Sequence, residues 1–298
     1  MFDIHKYYRA ESVSQAALLL TEHPEARLIA GGTDVLVKLG HFNPKFRELV
    51  DIHDLAELKT SRLEGETLTL GSGLTFTAAI NDPLVRQYVP VLGEACATVA
   101  GPQIRNMGTI GGNIANGATS ADTAAPLLVL EARVLITGLS GPRETDIRGF
   151  HTGPGQVALE ANEVVTGFAF DLKKLRDLKA AYYKYAMRSA MDIATIGCAA
   201  GVKLEGDVIS DLRLALTVAA PTPIRCPAAE AAGLGKPLTD ETFSAVARAL
   251  DQDIKPRTSW RASREFRVRI IKTLTERMIR AAAARADRDG GPTEEGRG

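Results

Sequence analysis

The sequence predicts an α+β protein built from two domains. Three observations point there. Up to Phe170, strand-like and helix-like segments alternate without a regular βαβ rhythm. A polar break, "DLKKLRDLKA", is then followed by consecutive strand-like segments and, after them, by helices. Finally, 298 residues are enough for two cores of ordinary size.

Taken in order, "SVSQAALLLTEHP" (Ser12 to Pro24) reads as a helix with a Ser N-cap, helically spaced apolar positions and a terminating Pro. "ARLIA" reads as a short strand, "GGTD" as a glycine turn, and "VLVKLG" as a helix opened by Thr33 or Asp34. "RELVDI" and "TLTLGSG" alternate as strands do. "PLVRQYVPVLGEACATVA" reads as one long helical stretch ending at Gly101, followed by the loop "GTIGGNIANG". "ADTAAPLLVLEARVLITG" then reads as a short helix leading into a strand. Beyond the polar break, "YYKYAMRSAMDIATIGCAAGVKLEGDVISDLRLALTVAAP" predicts antiparallel strands joined at "EGD". Helices follow over "TDETFSAVARALDQ" and "SREFRVRIIKTLTERMIRAAAARA". The end of the chain, "RADRDGGPTEEGRG", has almost nothing apolar to bury and is expected to be disordered.

Composition excludes several function classes. The chain is 45% hydrophobic and 24% charged, as soluble globular proteins are. Lys plus Arg, 36, equals Asp plus Glu, 36, so no global field draws in nucleic acid or an anionic membrane. No apolar run approaches the ~20 residues needed to span a bilayer. "MFDIHKYYRA" lacks the basic head and apolar core of a signal peptide, so a cytoplasmic location is expected. Cys96, Cys198 and Cys226 are far apart and read as small buried hydrophobes. His5, His23, His41, His53 and His151 form no i, i+4 pair, and no metal site is expected.

Four features carry candidate chemistry. "AGGTDV" lacks the Lys of a phosphate loop, yet its glycines allow successive N–H groups to converge on one oxyanion at a helix start. It reads either as such a cradle or as a tight turn. "GSGLTF" has Phe76 where a dinucleotide fingerprint needs its third glycine, and reads as a turn. "GTIGGNIANG", Gly108 to Gly117, has four glycines in ten residues, a composition that costs about 0.5–1 kcal/mol per Gly in a regular element. Two such loops without Lys fit a diphosphate gripped from both sides by neutral amides. Asp122 is either a helix N-cap or an acceptor for a ribose or an adenine amine. Lys184, within "YYKYAMR", is either a snorkelling surface residue or a cation beside a flavin ring or phosphate.

"LIAGGTDVLV", "AGPQIRNMGTIGGNIANGATSADTAAP", "GFHTGPG", "YYKYAMRSAMDIATIGCAA" and "VAAPTPIRC" resemble the FAD-binding subunits of bacterial xanthine dehydrogenases, of the molybdenum hydroxylase family. They occur in the family's order, from the N-terminus to about Ala286. The resemblance implies a two-lobed FAD-binding domain of the PCMH, vanillyl-alcohol-oxidase-like type over 1–175, with lobes of about 1–58 and 59–175. It implies a smaller α+β domain over 178–286, like that of CO dehydrogenase flavoproteins, with a three-stranded sheet and helices, and a tail over 287–298.

Carried over residue by residue, the first FAD loop is Leu28, Ile29, Ala30, Gly31, Gly32, Thr33, Asp34 and Val35. The second is Thr109, Ile110, Gly111, Gly112 and Asn113. Asp122 would contact the adenosine part, Val165 would pack near the flavin, and Lys184 would lie at its polar edge. FAD would be held non-covalently, with NAD+ as the acceptor. Molybdopterin would sit on a large partner subunit and two 2Fe–2S clusters on a small one, in a heterotrimer that dimerises to a hexamer. No side chain of this chain need act as an acid or base, because the isoalloxazine carries the redox chemistry. Val99 stands where some relatives carry an aromatic, and only Arg188 and Asp192 are charged in "YAMRSAMD".

Overall fold

The computed structural model of the chain describes residues 3–288. The chain begins with a small parallel sheet: β1 (Lys6–Arg9), β2 (Arg27–Ile29) and β3 (Glu48–Asp51), in the order β1-β3-β2. Helix Val13–Glu22 follows β1; its Ser12 Oγ accepts from the Gln15 N–H, and Val13, Ala16, Ala17 and Leu20 are its buried face. Helix Val35–Gly40 follows the glycine turn after β2, with Asp34 as N-cap but no side-chain capping bond.

The second sheet is antiparallel. Its strands are β4 (Ser61–Glu64), β5 (Thr67–Gly71), β6 (Arg133–Gly138), β7 (Gly141–Asp146) and, after the small hairpin β8 (His151–Gly153)–β9 (Gln156–Val157), β10 (Val164–Asp171). Their order is β4-β5-β10-β6-β7. Between β5 and β6 lie short helices. The expected long helix ending at Gly101 is instead Pro83–Tyr88 and Pro90–Ala97. Pro90 has no N–H to continue the first helix, and the residue before it, Val89, leaves the helical region at φ −137°. The glycine-rich stretch, expected as a loop, is the helix Ile110–Ala115, nucleated by Thr109, whose Oγ1 accepts from the Gly112 N–H at 3.0 Å.

The third sheet comprises β11 (Lys179–Tyr185), β12 (Ile196–Glu205), β13 (Val208–Thr217) and β14 (Ile224–Arg225), in sequence order. The three expected long strands are antiparallel, and β14 adds a two-residue edge. The expected turn at "EGD" has Gly206 at φ +60°, the left-handed region where glycine is strain-free. Helices Pro227–Gly233, Asp240–Asp253 and Arg264–Arg288 complete this half. The last helix continues through Arg288, two residues into the expected tail; the remainder of that tail lies outside the described residues.

Two arginines bolt the third sheet to the preceding helix Ala124–Val129. The C-terminal end of that helix carries the negative end of its dipole, and the Val129 carbonyl there accepts no backbone hydrogen bond among the described residues. Arg213 of β13 donates to the Val129 carbonyl at 3.2 Å, and Arg225 of β14 to the Leu128 carbonyl at 3.2 Å. Glu131, held at φ +51°, lies 3.7 and 3.5 Å from the two guanidiniums. Arg213 is buried and also bonds the Lys174 carbonyl and Asp211. Arg213→Ala should therefore leave buried acceptors unmet and cost roughly 3–5 kcal/mol, as breaking a buried ion pair does. The midpoint of urea unfolding, followed by circular dichroism, should fall accordingly.

Candidate cofactor-binding site

The two glycine segments meet backbone to backbone. Gly31 lies so close to the second segment that a Cβ there would overlap the Met107 carbonyl oxygen. Gly32 follows at φ +72°, turning the chain into helix Val35–Gly40. The amide N–H groups of Gly31, Gly32, Thr33 and Asp34 donate no backbone hydrogen bond among the described residues. From that helix, the Lys38 Nζ donates to the Asn116 Oδ1 at 2.6 Å, a second tie between the segments. Thus Leu28–Val35 and Thr109–Asn113 are brought together.

The turn at Gly71–Phe76, read as structural, is the floor beneath the second segment. The Gly111 N–H donates to the Ser72 carbonyl at 2.8 Å, and the Ile110 N–H to the Leu74 carbonyl at 3.0 Å. A Cβ on Gly111 would strike the Ser72 side chain and carbonyl. Ser72 in turn donates to the Thr166 carbonyl, between Val165 and the bulge at Gly167 in β10. Val165 itself is buried in the core below this floor. Gly112 and Asp34 are the exposed members of the set.

Asp122 and Lys184 are brought together with each other. Lys184 Nζ donates to Asp122 Oδ2 at 2.8 Å and to the Thr98 carbonyl at 3.0 Å, while the Tyr182 hydroxyl donates to Asp122 Oδ1 at 2.9 Å. Their side chains are only 9% and 8% exposed, which corrects the reading of Lys184 as a snorkelling surface residue. Asp122 is no N-cap either, because helix Ala124–Val129 begins at Thr123 without a side-chain cap bond. Burial pushes the Asp122 carboxyl above the usual carboxylate range, and the Lys184 ammonium and Tyr182 hydroxyl pull it back down. The pair joins the glycine segments through its neighbour: the Thr123 hydroxyl donates to Asn113 Oδ1 at 2.6 Å.

Several participants are ordinary residues that the motifs did not single out. Met107 and Ser72 act through main-chain carbonyls, and Lys38, Asn116 and Tyr182 through isolated polar contacts. The His151 ring hydrogen-bonds the backbone of Ile114, and burial holds its pKa below the ordinary histidine value. The segment after β11 returns over Gly101, where Met191 packs. Its shape is set by Asp192, which accepts from the Met187, Arg188 and Ile193 N–H groups. Cys96, Cys198 and Cys226 are free and buried. Among the described residues, no helix is long and apolar enough to cross a membrane.

The arrangement suits a diphosphate-bearing cofactor: unbonded N–H donors on one segment, a helix start on the other, and glycines where side chains would fill the cradle. Comparison with known proteins agrees. Residues 2–170 match the FAD binding domain in molybdopterin dehydrogenase, and residues 181–282 match the CO dehydrogenase flavoprotein C-terminal domain. The chain belongs to the FAD-binding medium subunits of the molybdenum hydroxylase family. Within it, the chain is 49% identical to a xanthine dehydrogenase FAD-binding subunit of Escherichia coli O157:H7 over 96% of its own length and 98% of the relative's. It is 33% identical to the carbon monoxide dehydrogenase medium chain of Hydrogenophaga pseudoflava, over 94% and 97% of the two chains. A structure of that organism's carbon monoxide dehydrogenase superposes with TM-score 0.91, at 33% identity, over 96% of this chain and 99% of the other. Quinoline 2-oxidoreductase from Pseudomonas putida 86 gives TM-score 0.90 at 28% identity, over 96% and 99%.

The buried pair makes stability pH-dependent. The folded chain holds the Asp122 proton to higher pH than the unfolded chain does. Stability therefore declines as pH rises from the unfolded Asp pKa, about 3.9, through the folded one. Lys184→Met removes the partner that offsets this cost. Its unfolding free energy should fall with pH more steeply than wild type, by at most about 1.4 kcal/mol per pH unit. Asp122→Asn/Lys184→Met should remove that slope. Urea titrations across the pH range separate the three.

Proposed function

We propose that this chain is the FAD-carrying electron-transfer subunit of a xanthine dehydrogenase-type molybdenum hydroxylase. It receives electrons from purine hydroxylation on a molybdopterin-binding large subunit by way of two 2Fe–2S clusters on a small subunit. It passes them to NAD+, in a cytoplasmic heterotrimer dimerised as a hexamer. The 49% identity to a xanthine dehydrogenase FAD-binding subunit supports the substrate class. The observation that carries the cofactor assignment is the backbone contact of Gly31 with Met107, which closes two segments into one cradle lined by unbonded N–H groups.

In this reading the chain divides into a FAD-binding domain over 1–175, in two lobes, and a smaller domain over 178–286. Leu28 to Val35 hold the pyrophosphate through neutral N–H donors, which need no counter-charge, and Thr109 to Asn113 close the cradle from the other side. When bound, FAD supplies the two-electron chemistry that links one-electron clusters to a hydride acceptor. Val165 supports the flavin side from within the core. Asp122 and Lys184 act as one unit: the carboxylate cancels most of the ammonium's long-range charge, leaving one further ammonium proton free to donate toward the ring edge or adenosine. No residue of the chain transfers a proton to or from the purine, whose pocket belongs to the large subunit.

The purified chain should be yellow after reconstitution, with one flavin per chain by absorbance. Gly31→Ala should weaken FAD retention at least about tenfold, equivalent to about 1.4 kcal/mol, with an unchanged circular dichroism spectrum. Full flavin content in that variant would reduce the segments to structural turns. The isolated, flavin-loaded chain should also oxidise NADH with an artificial dye while showing no turnover of hypoxanthine. Purine turnover without partners would overturn the subunit assignment.

A further inference from the structure

The chain is neutral overall, yet Arg257 to Arg269 holds five arginines (257, 261, 264, 267 and 269) against one acid, Glu265. Among the described residues, no carboxylate lies within ion-pair reach of any of the five arginines. Many arginines elsewhere are paired with acids, as Arg213, Arg225, Arg280 and Arg285 are, and those that are not, such as Arg62 and Arg105, do not cluster as these five do. An unmatched cluster repels itself, and a partner supplying carboxylates would relieve that repulsion.

The same segment displays apolar surface on a rigid mount. Ser259 and Ala262 exchange two backbone hydrogen bonds, 3.0 and 3.3 Å, making a tight turn with Trp260 and Arg261 at its tip. Trp260 is 77% exposed, and the Arg261 guanidinium lies over its ring at 4.2 Å. Below the turn, Arg267 is 2% exposed and pins it, donating to Ser259 Oγ at 2.9 Å and to the Thr195 carbonyl. Two further bonds fix the start of the last helix: Arg264 N–H to Thr258 Oγ1, and Phe266 N–H to Ser263 Oγ. That helix start adds its own positive end to the patch. Phe266, half exposed, packs its ring beside Tyr185. Trp and Arg on a pre-organised turn, ringed by further cations, are the chemistry of a protein-binding hot spot.

We infer that the Arg257–Arg269 segment is a docking surface for an acidic face of a companion subunit, one that offers an apolar pocket for Trp260 and carboxylates for Arg261, Arg264 and Arg269. This rests on the reading of the chain as a subunit of a larger enzyme. Such a surface steers and orients association, and its contribution weakens with salt.

The test uses the flavin-loaded full chain with its two companion subunits, purified separately. Assembly affinity is measured by analytical ultracentrifugation at low and high salt, for wild type, Trp260→Ala and Arg264→Glu/Arg269→Glu. All three altered positions are at the surface, and flavin content and thermal melting should match wild type. Both variants should assemble about tenfold or more weakly, and the double variant should lose most of the salt dependence. Variants that assemble as wild type does, with the same salt slope, overturn the docking surface alone. A wild-type chain that does not associate overturns the subunit reading as well. A fluorescent single-stranded RNA oligonucleotide serves as a control: if it binds wild type and not the double variant while assembly is unaffected, the patch serves nucleic acid and the inference fails.

Discussion

The molecule is organised around one close approach, that of Gly31 to the Met107 carbonyl. It brings the turn after β2 against the segment before helix Ile110–Ala115, adding to the packing of helix Val13–Glu22 on β10. Everything near the cradle is braced to keep that separation. The Ser72 and Leu74 carbonyls anchor the second segment from below, Thr109 caps its helix, and Lys38 reaches across to Asn116. The cradle thus depends on peptide groups, whose positions are set by the fold and do not fluctuate through side-chain rotamers.

The second tier is electrostatic and neutral overall. Asp122, Lys184 and Tyr182 place one negative and one positive group in a dry seam between the helix-rich layer and β11. Such a pair contributes little net stability, since desolvation consumes most of the Coulomb gain, but it fixes register. Through Thr98 and Thr123 it connects both the helix Pro90–Ala97 and the second glycine segment to the third sheet. Arg213 and Arg225 make the complementary connection at the far end of helix Ala124–Val129. The third sheet is therefore attached at both ends of the element that leads away from the cradle.

The sequence is most legible where one residue type alone does the job. Gly32 and Gly206 at positive φ, Ser12 as a cap, and the "EGD" turn that joins β12 to β13 are all directly legible. The glycine segments stand out by composition, but the contact of Gly31 with Met107 does not, because Met107 takes part through a carbonyl that every residue carries. Asp122 and Lys184 each had two readings in isolation; only the packing of β11 against the helix-rich layer shows that they belong to one unit. Pro90 carried its signal openly, yet the apolar periodicity on either side masked the break. Strands β4 and β7 escaped because they are exposed and charged, with no apolar alternation to mark them.

Gly31 and Gly111 share a property that shapes how this chain can change over evolutionary time. What a side chain would strike includes main chain at either position: the Met107 carbonyl at Gly31 and, along with the Ser72 Cβ, the Ser72 carbonyl at Gly111. A clash with a side chain can be cured by shrinking the neighbour; a clash with a peptide group has no such cure, because no amino acid omits it. Neither glycine therefore has a second-site suppressor among point substitutions of its neighbour, and the two distant segments are bound to be inherited as a matched set.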